Sequence, residues 1–92
     1  MSEIIINRLK GIIADKLDVN LKIEEIDENV SLFEDGLGLD SIAIVDLIVW
    51  IEKDFSLTIA DEELDAELFE NLGTLADFIH QKMNGRQVLY QD

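Results

Sequence analysis

The residues of this chain with the most capacity for chemistry stand at one junction, Gly36-Leu37-Gly38-Leu39-Asp40-Ser41-Ile42. Two glycines and an acid close a long stretch without regular period, and the run Ile42 to Ile51 that follows is apolar enough for a helix. A serine at such a junction opens the helix with its hydroxyl at the surface, beside first-turn N–H groups that have no intrahelical acceptor. That position suits a phosphate. Asp-Ser ahead of an apolar run is also a common way to start a helix, so the spacing alone leaves both readings open.

Other chemistries fare worse. A serine hydrolase needs a base for Ser41, and His80, the only histidine, lies in a helical pattern with nothing that marks it as positioned. Asp27-Glu28-Asn29-Val30-Ser31 begins like a calcium loop, but Leu32 replaces the turn glycine and Gly38 stands where the closing glutamate belongs. Loose divalent-ion binding by the acid clusters is expected, a specific metal site is not. Gly36-Leu37-Gly38 is weak as a phosphate-binding loop, because no strand precedes it and no Lys-Ser/Thr pair follows. With no cysteine, the chain has no thiol nucleophile, disulfide framework or Cys-ligated zinc. No catalytic residue is assigned, and the chain is read as not an enzyme.

Charge narrows the partners. The chain has 21 acids against 7 bases, a net charge of −14. Between Ile23 and Gln81 there are 17 acids and one base, Lys53. Such a surface repels nucleic acid and anionic membrane and steers basic protein surfaces toward itself. Met1-Ser2-Glu3-Ile4 lacks the basic start of a signal peptide and no run reaches the length of a membrane span, so a cytoplasmic monomer without stable membrane insertion is expected.

The elements that must position Ser41 follow from periodicity. Ile5, Ile6, Leu9, Ile12, Ile13 and Leu17 form one stripe of a first helix over about 3–17. From Asp18 to Asp40 no period is sustained, although Leu21, Ile23, Ile26, Val30, Leu32 and Phe33 recur. A loop this long in a compact domain is usually functional or packed down. Ser31-Leu32-Phe33-Glu34 has capping-box spacing and predicts a helical turn. The second helix, about 41–54, places Ile44, Leu47, Ile48, Ile51 and Phe55 on one arc and Ile42, Val45, Asp46, Val49 and Lys53 on the opposite one. The first arc is core. The second is too apolar for a plain solvated face, and is either a docking surface or more core. A short or irregular third helix is expected between Ala60 and Asn71, with Leu64, Leu68, Phe69 and Leu72 at helical spacing. A fourth is expected to be capped by Thr74, to bury Leu75, Phe78, Ile79 and Met83, and to stop at Gly85. The whole of 1–92 reads as one all-α domain with its core over about 3–84 and a flexible tail at 85–92. Its expected form is a small four-helix bundle, three longer helices plus a short third, with a long loop between the first two.

Several segments together resemble the acyl carrier protein family: Leu32-Phe33-Glu34-Asp35, Asp40-Ser41-Ile42, Val45-Asp46-Leu47, Ile51-Glu52 with Phe55, Ile59-Ala60-Asp61-Glu62-Glu63 and Thr74-Leu75-Ala76-Asp77-Phe78-Ile79. The resemblance implies that a separate magnesium-dependent phosphopantetheinyl transferase esterifies Ser41 with 4′-phosphopantetheine from coenzyme A, with Asp40 at the transferase contact. The arm's thiol then holds an acyl group as a thioester, which a chain without cysteine cannot do by itself. The resemblance also makes Ile42, Val45, Asp46 and Val49 partner-facing and Leu47, Ile51 and Phe55 core. It implies acyl-transferring, condensing or ligase enzymes with basic docking patches as partners, in fatty-acid, lipid or specialised-metabolite biosynthesis. Trp50, Lys53 and the length of the Asp61 to Gly73 segment depart from the housekeeping fatty-acid carriers. The alternatives are an aminoacyl or peptidyl carrier, or an unmodified acidic helical adaptor or inhibitor.

Overall fold

The computed structural model describes residues 2–91, with side chains described for residues 3–84. Three α-helices account for most of it: α1 (Ser2–Asp15), α2 (Ser41–Phe55) and α3 (Leu72–Gln91). Among the described residues there is no strand. α1 packs against both α2 and α3. It does so through the predicted stripe, since Ile5, Leu9, Ile12, Ile13 and Leu17 are buried and Ile6 is partly so. Leu17 belongs to the closing turn, where its N–H reaches the Ile12 carbonyl at 3.3 Å.

The expected short or irregular third helix takes the form of two 3-10 turns, Asp61–Glu63 and Ala66–Phe69, beside the three α-helices. The local charge explains why it is not one continuous α-helix. Asp61, Glu62, Glu63, Asp65, Glu67 and Glu70 would stack like charges at helical spacing. The Asp65 carboxylate instead accepts the Glu67 N–H at 3.0 Å, which turns the chain locally. Leu68 and Phe69 enter the core, while Leu64 stays exposed.

The long loop is packed down as anticipated, by a different route. Ser31–Glu34 forms no helix: the Ser31 hydroxyl accepts the Phe33 N–H at 3.1 Å, and the Ser31 carbonyl accepts Leu37 N–H at 2.8 Å. The loop backbone bonds to the 66–72 region instead, Leu32 N–H to Phe69 O at 3.1 Å and Leu72 N–H to Glu28 O at 3.2 Å. Leu32 is fully buried, and Phe33 meets Phe69 edge-on at 6.1 Å between centroids. A one-turn 3-10 segment occurs earlier, at Ile23–Glu25.

The cap of α3 also differs. Asn71 Oδ1 accepts the Thr74 N–H at 2.8 Å, so Asn71 caps the helix and Thr74 lies inside its first turn. The fully buried Leu72 must be the first helical residue. Leu75 and Ile79 are buried, and Phe78 and Met83 partly so. Gly85 does not stop α3, whose backbone is helical to Gln91. A glycine inside a helix costs about 1 kcal/mol relative to alanine without forbidding it. Docking of Val88, Leu89 and Tyr90 lies outside the described side chains.

Candidate functional site

Ser41 is the first residue of α2, and the path that delivers it depends on the preceding turn. The Phe33 carbonyl accepts the N–H groups of both Gly36 and Gly38, at 2.9 and 2.8 Å. A Cβ at residue 36 would collide with the Ser31 carbonyl oxygen, and Gly38 has φ +86°, a left-handed conformation that favours glycine. Leu39, next in line, is fully buried and its N–H bonds Leu32 O at 3.0 Å. An anchored residue thus fixes the chain two positions before the serine.

Asp40 ends the loop in extended conformation and caps α2 twice. Its Oδ1 accepts the Ala43 N–H at 2.9 Å, and its carbonyl accepts the Ile44 N–H at 2.9 Å. Ser41 is therefore held in the first turn while its own side chain stays exposed and its hydroxyl forms no hydrogen bond within the described residues. It borders an open cleft lined by Phe33, Glu34, Asp35, Leu39 and Asp40. The amides of Ser41 and Ile42 have no intrahelical acceptor. A free nucleophilic hydroxyl, open space beside it and two outward amides fit a phosphodiester on Ser41.

The two arcs of α2 separate cleanly. Ile44, Leu47 and Ile51 are buried, with Ile48 and Phe55 partly covered. On the other arc Ile42 is 73% exposed, Val45 58% and Val49 41%, and Asp46 and Lys53 are exposed too. Nothing within the described chain covers this arc, which removes the reading of it as further core. The six residues singled out in sequence, Asp40, Ser41, Ile42, Val45, Asp46 and Val49, thus share the start and outer face of one helix.

A second wall of this surface was not anticipated. Asp18, Val19, Asn20 and Leu21, just past α1, form a groove with Leu37, Gly38, Asp40, Ile42, Ala43 and Asp46. Contacts between chain segments this distant in sequence carry no local signal. The structural role of Glu52 was also not foreseen: its Oε2 accepts the Ile59 N–H at 2.8 Å and ties the connector back to α2. His80 is on α3 beside Asn84, at 3.1 Å, and lines no part of the Ser41 cleft. Among the described residues no group of three or more His, Asp or Glu side chains could hold a metal ion, and no helix is long and apolar enough to cross a membrane.

One acid has a displaced titration. The Glu63 carboxylate takes two hydrogen bonds from Lys82 Nζ, at 2.6 and 2.8 Å, and one from the Ala60 N–H at 2.8 Å. Chiefly through the Lys82 bonds, its pKa is held below the usual carboxylate value.

The profile of the family described as "phosphopantetheine attachment site" matches residues 7–79. The chain is 44% identical over 73 residues to an acyl carrier protein of Clostridium perfringens, a match covering 79% of this chain and 90% of that protein. It is 43% identical over 75 residues to one of Buchnera aphidicola, covering 82% and 88%. Among solved structures it is similar to holo acyl carrier protein from Nitrosomonas europaea, with TM-score 0.72 and 29% identity over 86% of this chain and 95% of that one. It is also similar to the acyl carrier protein from Enterococcus faecalis, with TM-score 0.62 and 26% identity over 89% and 98%.

Proposed function

Because this chain belongs to the acyl carrier protein family, whose members carry a covalent phosphopantetheine group and are not enzymes, we propose that Ser41 is the residue that bears the arm. The observation that carries this reading is the exposed, unbonded Ser41 hydroxyl, held by the Asp40 cap beside an open cleft. The arm, once attached, supplies the thiol on which an acyl group rides as a thioester. This chain's own part is to present the hydroxyl, keep the first turn rigid and hold the outer face of α2 open to partners. Catalysis of the attachment is the work of the phosphopantetheinyl transferase, which members of this family require along with the biosynthetic enzymes they serve.

Ile42, Val45, Asp46 and Val49 are the proposed docking residues, with Asp40 at the transferase contact. Their exposure and the acidity of the chain favour acyl-transferring, condensing or ligase enzymes with basic patches. The chain is proposed to work as a single-domain monomer in the cytoplasm. Intact-mass measurement after incubation with a promiscuous phosphopantetheinyl transferase, magnesium and coenzyme A tests the attachment. The wild-type chain gains one phosphopantetheinyl group, and Ser41→Ala gains none while keeping its melting temperature. An unmodified wild-type chain, or a modified Ser41→Ala, defeats the assignment.

A further inference from the structure

Toward the end of α2 remote from Ser41, two lysines meet at one aromatic ring. Lys53, the one base between Ile23 and Gln81, places its Nζ 5.4 Å from the centroid of the Trp50 ring. Lys16, just past the end of α1, reaches the same ring at 5.3 Å. Two cations distant in sequence thus share one half-buried indole, whose π face attracts each.

Neither lysine has a carboxylate within ion-pair distance among the described residues, although the chain holds 21 acids. Two acids flanking Lys53 on α2 are engaged elsewhere: Arg8 binds Asp54 at 2.6 Å, and Glu52 accepts the Ile59 N–H. Both lysines are exposed. On a chain of net charge −14 this leaves a small positive, aromatic patch available to something outside the molecule.

We infer that α2 presents a docking ridge with two poles: an acidic and apolar pole at Ile42, Val45 and Asp46, and a basic and aromatic pole at Lys16, Trp50 and Lys53 that receives an acidic segment of a partner protein. This deepens the carrier reading and rests on it. Asp46 and Lys53 are seven residues apart, two turns along the same face and about 10 Å along the axis at 1.5 Å rise per residue. Val49 lies between the poles. A partner in register offers a base to Asp46 and, about 10 Å further along, a carboxylate to Lys16 and Lys53. A surface of one sign attracts a basic partner without fixing its direction. Two opposite poles do fix it, because the reversed pose brings like charges together.

Trp50 is the only tryptophan, so its fluorescence reports on the basic pole alone. The probes are a short acidic peptide of alternating glutamate and leucine and its counterpart of alternating lysine and leucine. Each is titrated into the isotope-labelled full chain at physiological salt. The acidic peptide is expected to shift Trp50 emission saturably and to move the amide signals of Lys16, Trp50 and Lys53, while the basic peptide moves those of Ile42 to Asp46. Combining Lys16→Glu with Lys53→Glu is expected to weaken the acidic response by about tenfold or more, equivalent to about 1.4 kcal/mol, and Lys53→Arg to retain it. An acidic peptide that leaves wild-type Trp50 unmoved overturns the inference, as does a response that survives both reversals. If the lysines serve only to pin α1 to α2, the reversals lower the melting temperature and the peptide is silent on the wild type. Loading of Ser41 is measured in parallel by intact mass. A chain that loads but gives no Trp50 response defeats this inference alone, and a wild-type chain that cannot be loaded defeats the carrier assignment beneath it.

Discussion

The two faces of α2 are built from the same kind of residue and meet opposite fates. Leu47 and Ile51 are fully buried, while Ile42 and Val45 on the other side are 73% and 58% exposed. Removing a side chain of this class from water is worth roughly 1.5–3 kcal/mol, so the inner face contributes to folding and the outer face contributes little. What differs is the surroundings: α1 packs against α2, the inner face shares one core with loop residues such as Leu32 and Leu39, and nothing in the described chain covers the outer face. A helix can therefore hold a domain together on one side and remain an unfilled interface on the other, and Ser41 heads both.

The largest effect expected from this contrast is at the core. Leu47→Ala or Ile51→Ala should cost about 2–5 kcal/mol through the cavity it leaves, against a total of about 5–15 kcal/mol for a domain of this size. Urea or thermal denaturation measures the loss. A cost at Leu47 no greater than at Val45 would break the distinction between the faces.

Next in size is the cap that starts both faces. Asp40→Ala removes the acceptor for the Ala43 N–H and should cost about 0.5–2 kcal/mol. Asp40→Asn can still cap, so it should preserve the melting temperature. If transferase loading of Ser41 slows in the Asn variant all the same, the transferase reads the charge of Asp40 and not merely the shape of the turn. Unaltered loading in both variants would remove Asp40 from the site.

A smaller, pH-dependent effect is expected in the segment that leads from α2 to α3. Because Lys82 and the Ala60 amide lower the pKa of Glu63 in the folded chain, its contribution to stability is fully present above the unfolded carboxylate pKa and is lost as pH falls through the lower, folded value. Melting temperatures of wild type and Glu63→Gln should differ at neutral pH and converge in acid, below the ordinary carboxylate range. A difference that grows on acidification would reverse the assigned sign.

The smallest effect is expected on the outer face. Val45→Ser and Val49→Ser should change stability by no more than about 0.5 kcal/mol while slowing loading or acyl transfer, and Asp46→Lys should slow them most at low salt. Should either valine substitution unfold the domain as Leu47→Ala does, the outer face is structural and the docking role falls.

Much of this site was legible in the residues. Asp40-Ser41 before an apolar run states a capped helix start, because an acid side chain at that position answers amides that no carbonyl can reach. The inner arc of α2 and the stripe of α1 follow from a period of 3.6. Less legible were starts and stops with more than one competent residue. Thr74 and Asn71 can both cap a helix, and the choice fell to Asn71 because Leu72 is drawn into the core and bonds Glu28 across the molecule. Ser31 can cap a turn or bend a loop, and it bends because Leu32 is held by the Phe69 carbonyl.

By itself, then, the sequence determined those features that arise within a turn or two of helix: three amphipathic helices, a capped serine, an absence of thiol and an excess of negative charge. Tertiary structure decided the features that depend on who stands opposite. It left the Ile42, Val45 and Val49 arc uncovered, split the acidic 61–69 stretch into two 3-10 turns and brought Lys16, just past α1, onto the Trp50 of α2. The physical reason is range. Backbone capping and periodicity act over about 5 Å, one turn of helix, whereas burial and charge pairing are set by segments that meet only once the chain has folded.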